Sequence, residues 1–276
     1  MSLSTHEMRW LAFDTSTDVL SLAVARGDRV WTQTLPGGAQ ASSGLIPAVL
    51  ALLAEADMPL TALTAIVFGR GPGSFTGLRT ACAVAQGMAL GADLPVLPID
   101  TLWAVAEEAR ALQTASGQLK ANEALTVLAL LDARMDEVYS AAYRWQPVSL
   151  AIAEGEQALS GTGARGVWQT LSPLKVGAPE QVALPHTTPL SDTSPVLLAG
   201  NAFAAYGERL PPGERCEALP TAAALLRLAP VLWAQGQAVP ADQAMPLYIR
   251  DKVANTTAER EVLKAQAALA KASPQP

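Results

Sequence analysis

Short apolar runs broken by polar turns open the chain, and their spacing predicts strands before any helix. The run over 10–13 ends on Asp14, and the polar turn Thr15-Ser16-Thr17-Asp18 follows. A second run spans 19–25 and a third spans 30–35 after Gly27-Asp28, so three successive antiparallel strands are expected. Ser42 and Ser43 then offer N-caps for a helix over 43–56, which Met58-Pro59 closes. A strand over 64–68, a glycine-rich turn, a helix over 74–90, a strand over 96–99 and a helix over 100–114 complete the order βββαβαβα.

The second half starts alike. Segment 127–144 repeats the strand, acidic turn and strand of 9–26, with Asp132 over Asp14, Asp136 over Asp18 and Arg144 over Arg26. A strand over 196–200 and a helical stretch from Ala202 echo the first half again, and a repeat this long implies domain duplication. The expected organisation is a first lobe over 1–104, completed by an apolar helix over 221–238 that is interrupted or kinked near Pro230. A second lobe over 105–220 carries an irregular excursion rich in Pro, Gly, Ser and Thr over 146–195. The C-terminal extension, 239–276, ends in an Ala- and charge-rich stretch over 257–276 that reads as a frayed helix.

Half of the 276 residues are hydrophobic and only 5% are aromatic, a balance that suits a helix-rich α/β protein better than an all-β one. The formal net charge of -6 leaves no basic surface for gripping nucleic acid unaided, so no direct RNA or DNA binding is expected. Cys82 and Cys216 lie far apart and point to a reduced, cytoplasmic protein, with Cys82 a small apolar filler inside a helix. No secretory-type segment precedes the first strand and no apolar run reaches spanning length, so no membrane association is expected. His6 and His186 are the only histidines, and neither sits in a metal-binding or nucleophile-elbow pattern. A histidine-ligated catalytic metal and a Ser-His-Asp triad are therefore argued against by supply.

Two segments carry candidate chemistry. In Ala65 to Thr80 a strand runs into glycines at 69, 71, 73 and 77 and then a helix, where Ser74 or Thr76 can cap free N–H groups that favour an anion. No Walker lysine follows, and Ser74 stands where the third glycine of a dinucleotide fingerprint belongs. The alternative is close packing through a small-residue stripe, Gly77, Ala81, Ala85 and Ala89. The turn Asp14-Thr15-Ser16-Thr17 reads in two ways as well: a carboxylate with hydroxyls for a phosphate-bound metal, or a hairpin turn whose side chains bond local backbone.

The helix over 43–56 gives a different signal. Leu52, Leu45, Val49, Leu53, Ile46 and Leu50 cover an arc of roughly 160°, wider than one sheet face requires. Between Arg29 and Arg70 the only charges are Glu55 and Asp57. A second apolar face implies a partner surface, unless the helix is sandwiched inside its own domain.

The segments LAFDTST, GRGPGSFTGLR, LPVLPIDTL, LDARMDEVY and PLYIRDKVA resemble, in that order, the bacterial TsaB (YeaZ) family over about 10–260. The resemblance implies an α/β fold of the actin, hexokinase and Hsp70 (ASKHA) type, with two duplicated lobes, each a mixed sheet with flanking helices. It also implies a non-catalytic companion subunit for threonylcarbamoyladenosine modification of tRNA. The catalytic paralogue, TsaD, holds its metal with a His-x-x-x-His pair, and the matching positions here are Thr101 and Val105.

Further implications concern partners. They are a heterodimer with a TsaD-type subunit, engagement of a TsaE-type ATPase, and a homodimer through a similar surface. ATP and a metal are expected on the partner subunits, with no cofactor and no metal on this chain. The expected interface comprises Leu45, Ile46, Val49, Leu50 and Leu53 with Leu78, Ala81, Cys82 and Ala85 on the next helix. A vestigial nucleotide site is expected at Asp14, Thr15, Ser16, Gly71, Gly73, Ser74, Thr76 and Gly77. The rival readings are a kinase or ATPase of the same fold, and a peptidase, since related proteins carry an M22 glycopeptidase label.

Overall fold

Strands that read as nearly unbroken apolar runs do so here because both faces of the sheet are covered. The structure, a computed structural model, describes residues 8–120, 122–147, 166–185 and 196–250. The first lobe runs β1 (Arg9–Asp14), β2 (Val19–Arg26), β3 (Arg29–Pro36), α1 (Ala41–Glu55), β4 (Ala65–Gly71), α2 (Phe75–Ala92), β5 (Val96–Asp100) and α3 (Thr101–Ala115). The second runs β6 (Leu125–Arg134), β7 (Glu137–Pro147), β8 (Gly166–Thr170), β9 (Lys175–Gly177), β10 (Val196–Gly200), α4 (Phe203–Tyr206) and β11 (Arg215–Glu217), and α5 (Ala222–Ala234) follows it.

The two sheets have the orders β3-β2-β1-β4-β5 and β11-β10-β6-β7-β8, with β9 also on β7. In each, antiparallel strands lead in and the first strand takes a parallel neighbour on its other side, β4 on β1 and β10 on β6. The duplication extends to atoms. Asp14 Oδ1 accepts the backbone N–H of Ser16 at 2.8 Å, and its counterpart Asp132 Oδ1 accepts that of Arg134 at 2.8 Å. This is the duplicated ASKHA-type α/β fold.

Period-two alternation assigns each strand residue to a layer. Leu11, Phe13, Leu22, Ile66 and Phe68 face α1 and α2, whereas Trp10, Ala12, Ala23, Val67 and Leu97 face α5. Helix α5 therefore covers the first sheet although it follows the second lobe in sequence. Helix α3 lies between the lobes: Ala104 belongs to the first core, and Leu102, Val105, Ala106 and Ala109 belong to the second.

Local differences from the sequence reading have local causes. Helix α1 starts at Ala41 behind a 3-10 turn, Gly38–Gln40, so Ser42 and Ser43 fall inside it and neither caps it. Helix α5 continues through Pro230, and its Thr221 side chain accepts the N–H of Ala224 at 3.0 Å. The helix expected from Ala202 is only the four-residue α4, which gives way to a 3-10 turn, Gly207–Arg209. The stretch read as a frayed helix over 257–276 lies outside the described residues.

A charged cluster ties these layers together. Glu107 on α3 is buried and accepts from Arg110 Nε and Nη2 at 2.9 and 2.7 Å, from Arg227 Nε of α5 at 2.8 Å, and from Trp168 Nε1 of β8 at 2.9 Å. One carboxylate thus satisfies donors from the bridging helix, from the cover of the first lobe and from the second lobe. Burial of these charges is tolerated because every partner is present, and removal of one leaves another uncompensated. Glu107→Ala is expected to lower the unfolding free energy in urea by about 3–5 kcal/mol. A loss below about 1 kcal/mol, the worth of an exposed pair, would show that the cluster is not a structural tie.

Candidate functional site

The turn after β1 docks into the glycine loop between β4 and α2. Asp14 Oδ1 accepts from Ser16 Oγ at 2.6 Å as well as from its N–H, which closes a tight Asx turn. Thr15 Oγ1 donates to the carbonyl of Gly77 at 2.7 Å, and the N–H of Ser74 donates to the carbonyl of Ser16 at 2.7 Å. From the far side, the N–H of Gly71 donates to Thr101 Oγ1 at 3.1 Å.

The glycines are required by this contact. A Cβ on Gly69 would overlap the Asp14 carboxylate, and one on Gly77 would overlap the Thr15 carbonyl. A Cβ on Gly73 would lie 2.6 Å from the Ser16 Cβ. Gly71, at φ +122°, would place its Cβ 2.6 Å from the carbonyl oxygen of Leu247. The glycines thus seat the turn against the loop, while Gly73 and Ser74, with Ser16 and Thr17, also line an open cavity between the lobes.

Of the residues expected at a nucleotide site, Asp14, Thr15, Ser16, Gly71, Gly73, Ser74 and Gly77 are brought together, but against one another. Thr76 is not among them, since it lies exposed on the first turn of α2. Ser74 occupies the N-cap position of α2, but its side chain makes no capping hydrogen bond. Asp14 is fully buried and its Oδ2 has no hydrogen-bond partner. Burial pushes its carboxyl up to about 6 against the opposing pull of the Ser16 hydrogen bonds.

The expected partner-interface residues separate into two groups. Leu45, Val49 and Leu53 are buried with Ala81, Cys82 and Ala85, packed against the sheet or between the two helices, and Leu78 is buried against Gly71 of the loop. They hold the first lobe together and are not available to a partner, which corrects that part of the expectation. The small stripe of α2 is likewise consumed in seating the helix. Ile46 and Leu50 alone remain outside, 45% and 54% exposed, on a face of α1 shared with exposed Pro47, Ala51 and Ala54. On α2 the exposed Ala83 and Gly87 keep the outer surface low, with open space where a Gly87 Cβ would stand.

Between the lobes lies a cavity of about 380 Å³, lined by Ser16, Thr17, Gly73, Ser74, Asp132 and Asn201 and by the segment Leu247 to Arg250. That segment is laced to both lobes. The Leu247 N–H donates to the Arg70 carbonyl at 2.7 Å, Arg250 Nη2 donates to the Ala133 carbonyl at 3.0 Å, and Arg250 also pairs with Glu137. At the cleft mouth, Arg134 of the second lobe pairs with Asp18 of the first at 2.6 Å. Nothing in the sequence marked Leu247 or Arg250 for this role beyond their place in PLYIRDKVA. Thr101 and Val105 are buried, Val105 in the core of the second lobe, and His6 and His186 lie outside the described residues. Among the described residues no group of three or more His, Cys, Asp or Glu side chains is arranged to hold a metal, and no helix is long and apolar enough to cross a membrane.

The raised carboxyl of Asp14 has a calculable consequence. A buried acid whose pKa is raised from 3.8 to about 6 favours the folded state when protonated, so its contribution is present below pH 4 and is lost as pH rises through 6. The charged form costs about 3 kcal/mol. Asp14→Asn is expected to remove that loss, so that the difference between variant and parent unfolding free energies in urea moves in the variant's favour between pH 4 and pH 7. A difference that stays constant across this range would show that Asp14 does not titrate there.

Comparison with known proteins agrees with the geometry. A family model described as TsaD, tRNA N6-adenosine threonylcarbamoyltransferase, matches residues 37–258. The tRNA threonylcarbamoyladenosine biosynthesis protein TsaB of Haemophilus influenzae is 34% identical over 247 residues, which cover 88% of this chain and 94% of that protein. The Escherichia coli protein of the same name is 32% identical over 90% of this chain and 96% of its own length. The solved structure of YeaZ from Pseudomonas aeruginosa superposes with a TM-score of 0.70 at 35% identity, covering 88% of this chain and all of the other. With relatives matched along nearly their whole length in both sequence and fold, the chain belongs to the TsaB (YeaZ) family.

Proposed function

We propose that this chain serves threonylcarbamoyladenosine biosynthesis on tRNA as a non-catalytic subunit that docks and activates a TsaD-type partner. The TsaB relatives carry that pathway in their names. The observation that carries the docking role is the outer face of α1, where Ile46 and Leu50 stand exposed beside Pro47, Ala51 and Ala54 with no charge until Glu55. Helix α2 packs alongside α1 over the same sheet face, and its Ala83 and Gly87 let another backbone approach closely. A low surface made by two adjacent helices, with one charge along α2, suits a helical partner better than it suits water.

The chemistry of the glycine loop supports the non-catalytic part of the reading. Its glycines at 69, 73 and 77 are taken up in seating Asp14, Ser16 and Thr15, and no Walker lysine follows them to hold a phosphate. ATP and the metal are then held by the partner subunits, with a TsaE-type ATPase joining the assembly. Cytoplasmic location follows from that role.

Ile46→Asp and Leu50→Asp are each expected to weaken binding of the TsaD-type subunit at least roughly thirtyfold in calorimetric titration. Because both positions are exposed, their unfolding midpoints should match the parent's. Undiminished affinity in both variants would remove the docking assignment. The isolated chain, titrated with ATP and magnesium up to levels that saturate an ordinary micromolar site, is expected to give no saturable heat; a stoichiometric isotherm would favour the kinase or ATPase reading.

A further inference from the structure

Helix α2 carries a single charge, Arg79, and that charge is held in place from two sides. Its Cζ lies 3.8 Å from the centroid of the Phe75 ring, one turn earlier, and its Nε donates to the Tyr248 hydroxyl at 3.2 Å. The Phe75 and Tyr248 rings lie against each other at 5.3 Å between centroids, and 39% and 46% of these residues stay exposed. The segment that ties the lobes thus contributes a side chain to the first turns of α2, where Phe75 and Tyr248 also line the cavity between the lobes and Arg79 stands one turn further along the helix.

Six arginines, Arg70, Arg110, Arg134, Arg209, Arg227 and Arg250, pair with carboxylates of this chain, whereas Arg9, Arg26 and Arg215 donate to backbone carbonyls. What sets Arg79 apart is its double hold, ring and hydroxyl, on the helix that carries the exposed Ala83 and Gly87. Arg79 pairs with none among the described residues, and its Nη1 and Nη2 have no hydrogen-bond partner there. No acidic residue occurs on α2, and α1 offers only Glu55 at its last position. A guanidinium stacked on an aromatic ring and fixed through Nε has already lost most of its rotamer freedom, so its remaining planar edge is preorganised for a two-point acceptor.

We propose that Arg79 is the polar anchor of the partner-docking face and receives an acidic side chain of the partner subunit through Nη1 and Nη2. This rests on the docking reading given above and adds the chemistry of the opposing surface. When a partner covers α2, the outward edge of the guanidinium loses its water, and an unpaired charge in such a contact is strongly unfavourable. A carboxylate opposite it restores both hydrogen bonds in a fork-shaped pair. The three contacting residues are also of types that dominate interface energetics, an arginine flanked by two large aromatics.

The test titrates the full chain with its TsaD-type subunit at low and high salt, using Arg79→Ala, Arg79→Lys and Leu50→Asp. Arg79→Ala is expected to weaken binding at least about tenfold at low salt and to flatten the salt dependence. Arg79→Lys should lose nearly as much, since an ammonium neither stacks nor forks in the same way. Loss of binding in Leu50→Asp with Arg79→Ala within about twofold of the parent would overturn the anchor and leave the docking reading intact. Full affinity in all three variants would overturn both. Parent-like affinity in Arg79→Lys would overturn the two-point acceptor. If Arg79→Ala left subunit affinity unchanged but reduced retention of tRNA by the assembled complex, the arginine would face RNA phosphate and the proposal would fail.

Discussion

The contact between the Asp14-Thr15-Ser16 turn and the glycines from Gly69 to Gly77 sets the geometry of the first lobe. Because Gly77 admits the Thr15 carbonyl and Gly73 admits Ser16, α2 starts directly against the end of β1. The small side chains that follow, Ala81, Ala85 and Ala89, keep α2 close to the sheet, and α1 packs beside it with Leu45, Val49 and Leu53 turned inward. The outer surface of this helix pair is therefore a consequence of how the turn is seated. A loop with the shape of an anion cradle here cradles its own chain, and its shape serves helix placement.

Much of this was legible in the sequence because it is local. The hairpin, the strand-loop-helix unit and the repeated acidic turn follow from spacing alone, and Asp14 and Asp132 do make the same backbone contact. The partner face was legible only in outline. An arc of apolar residues on α1 shows that the helix has more than one buried side, but periodicity does not say which side meets the helix's own sheet. Leu45, Val49 and Leu53 were consequently grouped with Ile46 and Leu50, although the sheet claims the first three. The same limit applies at the glycine loop, where glycines admit a phosphate and a neighbouring backbone equally well.

The ties between the lobes were not legible. Glu107 sits on an amphipathic helix and has no local signature, and its partners Arg227 and Trp168 come from distant segments. Arg250 reaches Ala133 and Glu137 in the same non-local way. Such contacts depend on tertiary placement, which a pattern of three or four residues does not encode. They are also the contacts that determine whether the two lobes behave as one body.

The position of α5 bears on how the chain is made. As synthesis proceeds, β1, β2, β4 and β5 emerge first, yet the sheet face bearing Trp10, Ala12, Val67 and Leu97 is covered by Ala104 at one end and elsewhere by Leu225, Leu228 and Leu232, which follow the second lobe. Trp233, whose ring meets Trp10 edge-on at 5.4 Å, arrives later still. A nascent first lobe is thus a sheet with a largely open, greasy underside until α5 has been made. The interval in between is when the chain is most exposed to misassociation on the ribosome, and closure by α5 makes folding of the two lobes a single late event.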